Sequence, residues 1–171
     1  MISQGPLSLS QQEASRKNYN RFNLVNGMSY MCLGETIIIL FALRLDAPDY
    51  IISMLGAFVF LGNFAMPMGK FMTARIGAAR SISLFWILRN ISAIFVATAS
   101  MVSITFGKVP ALVIVTVGTF LFYAFRSSGT AMMQPLIGEI TTSENRGKFV
   151  SKSTRYFFLA SLVTLVVISY V

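Results

Sequence analysis

Histidine is absent from these 171 residues, and cysteine occurs once, at Cys32. A single cysteine excludes an intramolecular disulfide framework, and the two shortages together argue against zinc or haem. No metal or cofactor is expected. Neither a nucleophile–base set nor metal-ligand spacing is present, so an enzyme is not expected. Cys32 falls in an apolar stretch and reads as a small packing residue. Acidic side chains are scarce too, six against fourteen basic ones.

Charge of either sign is thin. Only 12% of residues are charged and 55% are hydrophobic, where a soluble domain carries about 25% charged residues. Four runs carry no charge at all: 50–69, 90–107, 109–125 and 156–171. A helix of about 20 residues crosses the hydrocarbon core of a bilayer. A domain this small cannot bury that many such segments in a soluble core. The sequence therefore predicts an all-α, polytopic transmembrane bundle of about five helices, near 21–43, 50–72, 79–104, 109–137 and 152–171. Residues 1–20 form a polar tail with no cleavable signal pattern. Pro48 breaks the first connection, and Pro110 suits the first turn of the fourth helix.

The excess of positive charge, +8, follows membrane topology and does not imply nucleic acid. Arg16, Lys17 and Arg21 lie in the tail. Lys70, Arg75 and Arg80 follow the second helix. Arg146, Lys148, Lys152 and Arg155 follow the fourth. The other connections hold only Arg44 and Lys108. By the positive-inside rule the N-terminus is cytoplasmic, in a multi-pass protein of the plasma (inner) membrane.

Three ionisable residues fall within apolar segments: Glu35, Arg89 and Arg126. A charge at the bilayer centre costs roughly 2.5–3.5 kcal/mol or more, so such residues are substrate or proton sites by default. A buried ion pair that fixes helix packing is the competing reading. Helical rise from the flanking charges puts Glu35 about 21 Å, Arg126 about 20 Å and Arg89 about 14 Å from the inner surface. Glu35 and Arg126 are expected level, facing one aqueous cavity. Two positives against one negative favour an anionic small-molecule substrate, with a proton or cation as coupling partner. Phe85 and Trp86 flank Arg89, and Phe122 and Tyr123 flank Arg126, as a ligand wall or as ordinary membrane core. Gly62, Ala65 and Gly69, and Ala93 and Ala97, offer close helix contacts. Asn63, Asn90 and Gln134 read as interhelical hydrogen-bonders.

Two loops carry a pattern. Gly69, Arg75, Gly77 and Arg80 between the second and third helices resemble the signature loop of the major facilitator superfamily. Ala74 stands where that loop has an aspartate, and Gly69 comes one position early. Arg126 and Gly129, followed by Arg146 and Gly147, are similar to the family's fourth helix and the short turn before the fifth. The resemblance spans residues 21–171. It implies a secondary active transporter of two six-helix halves with alternating access. The first and fourth helices would line the cavity, and Gly69, Arg75, Gly77 and Arg80 would form a cytoplasmic gate loop. The chain would be most of an N-terminal half, partnered by a missing C-terminal half. The alternative is a small stand-alone membrane protein with a structural or assembly role.

The topology is tested by single cysteines in a background lacking Cys32. A cysteine at Lys108 should react with an impermeant thiol reagent from outside, and one at Asn145 only after the membrane is opened. The reverse pattern would invert the orientation.

Overall fold

A computed structural model describes residues 7–32 and 34–170, with the side chain of Cys32, and so its packing role, outside the described residues. Eight α-helices and one 3₁₀ turn occur among them, and no strand. They make five stretches long and apolar enough to cross a membrane: Leu9–Arg44, Asp49–Ile76, Ala78–Phe106, Lys108–Ile140 and Arg146–Ser169. The all-α class and the five spans agree with the sequence.

Several spans are longer than their apolar runs or are interrupted. Helix α1 (Leu9–Cys32) begins inside the expected polar tail. Its start is a capping box: the Gln11 N–H donates to Ser8 Oγ at 3.3 Å and the Ser8 N–H to Gln11 Oε1 at 3.0 Å. Each satisfies an amide that the helix leaves open. Gly34 then separates α1 from α2 (Glu35–Arg44).

The second span is α3 (Asp49–Leu61), a 3₁₀ turn (Gly62–Ala65) and α4 (Met66–Ile76). Pro67 explains the turn. It has no N–H to return to the Asn63 carbonyl and its ring crowds that oxygen; the Met66 N–H bonds there instead. Pro135 acts in the same way on Ala131. The fourth span is divided at 131–132 into α6 (Lys108–Thr130) and α7 (Met133–Ile140). Helix α5 (Ala78–Phe106) and α8 (Arg146–Ser169) are continuous.

The chain forms two compact units. In one, α1 packs against α8. Tyr19 meets Phe149, Asn23 Nδ2 donates to Ser153 Oγ, and Ser161 Oγ donates to the Gly27 carbonyl. The partners advance together along both helices, so α1 and α8 run parallel, as the first and fifth spans of an alternating bundle must. Tyr19, Ile137, Ile140 and Phe149 form a core that holds α7 to both. Arg146 leans back on α7, with its Nε donating to Thr141 Oγ1 at 3.4 Å.

The second unit is built around α6, which touches α2, α3, α4 and α5. In lipid, apolar contact between helices has no hydrophobic driving force, so close packing and interhelical hydrogen bonds hold them. Gly118 sits where a Cβ would come within 2.6 Å of Val96 Cγ2 on α5. A Cβ on Gly69 would strike the Ser128 carbonyl, and Ser128 Oγ in turn donates to the Ala65 carbonyl at 2.7 Å. Ser127 Oγ donates to Asn63 Oδ1 at 2.9 Å. Gly62 and Gly69 thus make the close approach expected of them. Ala97 is exposed, and the third span packs through Phe85, Arg89, Ser92, Val96 and Ala99 instead.

Two connections in this unit turn on backbone that only glycine adopts readily. Gly77 (φ 85°, ψ 157°) joins α4 to α5, and Gly107 (φ 91°, ψ 178°) joins α5 to α6. The α2–α3 connection places Asp46 in the left-handed region (φ 54°). There the Ala47 N–H reaches the Ala42 carbonyl and the Asp46 N–H the Leu43 carbonyl, a Schellman ending. The Asp46 carboxylate pairs with Lys108 Nζ; both side chains are mostly exposed (74% and 60%). An exposed pair contributes about 0–1 kcal/mol, so it marks which ends lie together more than it holds them.

Gly107→Ala has open space around it but the wrong backbone, and should destabilise the protein by about 1–3 kcal/mol. Gly69→Leu should be worse, because the side chain has no room against Ser128. Thermal unfolding in detergent distinguishes them; an unchanged midpoint in Gly107→Ala would contradict the strained turn.

Candidate functional site

The α5–α6 hairpin brings Arg89 and Arg126 to one level. Arg89 lies 18 residues before Gly107 and Arg126 lies 19 after it, so each stands about 27–28 Å from the turn. Contacts along the hairpin keep this register: Val96 beside Gly118, Arg89 beside Phe122, Phe85 beside Phe125, Trp86 beside Gly129.

Arg89 is 1% exposed. Its guanidinium carbon lies 5.3 Å from the Trp86 ring centroid and 5.5 Å from that of Phe122, and Nη2 donates to Asn90 Oδ1 at 3.1 Å. Two aromatic faces stabilise a desolvated cation by about 2 kcal/mol each at best. Arg126 follows Phe122 by one turn, is half-buried, and is near enough that its charge acts on Arg89. Like charges this deep in apolar helices repel. An anion that bridged both would turn that repulsion into attraction, through planar donors suited to a carboxylate or phosphate.

Glu35 is placed differently from the sequence expectation. It opens α2 and is exposed, where the helix dipole favours a carboxylate by about 0.3–1 kcal/mol. Its Oε1 lies 3.6 Å from where a Cβ on Gly56 of α3 would stand. Counting from the paired Asp46 and Lys108, Glu35 is about 16 Å along and Arg126 about 27 Å. The level neighbour of Arg126 is therefore Arg89. A level Glu35 and Arg126 requires one continuous helix from Arg21, whereas α1 and α2 are separate helices.

The sequence reading also passed over a stripe on α6. Thr116, Thr119, Tyr123, Arg126 and Thr130 recur at alternating intervals of three and four, on one face of the helix. Thr119 and Tyr123 are buried. The hydroxyls of Thr116 and Thr119 are buried with no hydrogen-bond partner among the described residues, at a cost of about 1–3 kcal/mol each. The signal was present as a polar heptad pattern within an otherwise apolar run.

The gate-loop residues are spread over two helices. Gly69 is buried on α4 beside Ser128; Arg75 near its end lies over Phe71, 4.2 Å from the ring centroid; Gly77 makes the turn; Arg80 is exposed on the first turn of α5. Among the described residues no group of three or more histidine, cysteine, aspartate or glutamate side chains is placed to hold a metal ion.

These features define an all-α chain with five helical stretches able to cross a membrane, two of which carry Arg89 and Arg126 at one level of the α5–α6 hairpin. No protein-family model, curated protein or solved structure matches the chain.

Trp86 is the chain's one tryptophan and reports on the centre. A Cβ on Gly129 would strike its indole. Gly129→Ala should shift Trp86 emission and destabilise the protein by about 1–3 kcal/mol. Unchanged emission and stability would contradict the packing of Trp86 between Gly129 and Arg89.

Proposed function

We propose that this chain forms part of a secondary active transporter that moves a small anionic solute by alternating access, in the manner of the major facilitator superfamily. The observation that carries the reading is the pair Arg89 and Arg126 at one level of the α5–α6 hairpin, two cations within adjacent apolar spans. Intramembrane charges facing a bundle interior are substrate or ion sites by default. The α6 stripe supplies hydroxyls alongside, suited to the polar remainder of a small solute.

The interrupted spans support the same reading. Discontinuous helices are tolerated at membrane depth where they are buried in protein or line a cavity, and transporters build their sites from them. Here the second and fourth spans both break, each four residues before a proline. The N-terminus is proposed to be cytoplasmic in the plasma membrane, with Arg75, Gly77 and Arg80 at a cytoplasmic gate beside Gly69. A second half would complete the cavity. Glu35, nearer the outer ends and exposed, would carry the coupling proton or cation.

The test is uptake by the full-length transporter in proteoliposomes. Arg126→Ala and Arg89→Ala should each reduce uptake of anionic solutes by about 10²-fold or more while insertion is kept, as expected for a bidentate charged contact. Arg126→Lys should restore little, since an ammonium lacks the planar fork. Glu35→Gln should remove dependence on the ion gradient yet leave solute exchange. Normal uptake in both arginine variants would leave the charges as packing devices in a structural membrane protein.

A further inference from the structure

The first half of α8 carries a shallow groove of about 550 Å³, lined by Gly147, Lys148, Ser151, Lys152, Arg155 and Tyr156. We propose that this groove docks the headgroup of an anionic phospholipid. The proposal rests on the reading of the apolar helices as membrane spans and is independent of the transport reading.

The geometry points to a lipid because the groove continues into an apolar stripe on the same face. Lys148, Lys152, Arg155, Leu159, Leu162 and Val166 follow one another at alternating steps of four and three, so they align along one side of the helix. All six are exposed. The opposite side, with Phe149, Ser153 and Ala160, is the one buried against α1. The stripe is cationic for its first two turns and wholly apolar after them. That is the order of a phospholipid lying along a helix: phosphate at the interface, acyl chain against leucine and valine.

The cations suit a phosphodiester. Arg155 offers a planar pair of donors, and Ser151 adds a neutral hydroxyl between the charges. Lys152 lies 6.0 Å from the Tyr156 ring centroid, and a tyrosine at this depth is at home at the headgroup level. The parallel register of α1 and α8 sets Lys17 and Arg21 level with Gly147 and Ser151, which raises the local positive potential. Basic clusters of this kind next to a span attract anionic lipids. A soluble phosphate would use the cations but leave the apolar half of the stripe unexplained.

The experiment reconstitutes the chain in phosphatidylcholine vesicles with and without phosphatidylglycerol, and reads preferential retention with spin-labelled forms of each lipid. K148Q/K152Q/R155Q should reduce the preference for phosphatidylglycerol about tenfold or more. K70Q/R75Q/R80Q removes the same charge from the α4–α5 connection and should leave the preference nearly unchanged. Equal loss in the two variants would overturn the site in favour of a general surface field. Full displacement of labelled phosphatidylglycerol by inorganic phosphate would overturn it in favour of a soluble anion. Should the triple variant not fold, photo-reactive phosphatidylglycerol on the unaltered chain decides. Adducts confined to residues 148–166 support the groove; adducts spread evenly over the spans sink it.

Discussion

Close contact along the α5–α6 hairpin is the constraint from which the centre of the second unit follows. Its pivot, Gly107, has a backbone that a side chain would strain, and its register is set where small residues let the helices meet. Gly118 accepts Val96, and Gly129 accepts Trp86. Once that register is fixed, two arginines stand level, with Phe122 between the turns that carry them. Hydrocarbon gives helices no hydrophobic reason to associate, so these contacts and the hydroxyl bonds of Ser127 and Ser128 have to hold α6 among its neighbours. The same packing that stabilises the unit therefore brings like charges together. Arg89 rests on two aromatic faces and donates to Asn90.

The interrupted helices follow from ordinary proline chemistry, and their position gives them meaning. Pro67 tightens the second span at Gly62–Ala65, where that span lies against Tyr123, Ser127 and Ser128 of α6. Backbone that departs from the α-helix is thus met by Ser128, whose hydroxyl donates to the Ala65 carbonyl, while Ser127 bonds the Asn63 side chain beside it. Pro135 ends α6 soon after Arg126. Both departures fall within a few turns of Arg126, so a charge within an apolar span lies close to irregular backbone.

The five spans were legible because absence of charge over some twenty residues has almost one structural solution. The glycine turns were legible in part: Gly77 stood out within a basic loop, whereas Gly107 had only Lys108 beside it to mark the connection. Pro67 and Pro135 were overlooked because hydropathy runs straight through both. The start of α1 was missed because its capping box, Ser8 to Gln11, precedes a polar helix that hydropathy reads as a tail. The three charges within apolar segments were found from the sequence alone, but their relative levels were not. Depth counted from assumed membrane surfaces made Glu35 the partner of Arg126. Counting from a turn shared by two packed helices makes it Arg89, since a hairpin fixes relative level and a loop of unknown path does not. The α6 stripe escaped because threonine and tyrosine barely lower the hydropathy of the run that contains them.

The central claim, that Arg89 and Arg126 form one anion-binding centre, is most directly tested by the fluorescence of Trp86, whose ring lies 5.3 Å from the Arg89 guanidinium carbon. Titration of the folded protein with small carboxylates and phosphates should give a saturable change in emission, absent with neutral solutes and lost in Arg126→Ala. A flat response to every anion, in protein that unfolds cooperatively, would contradict the account.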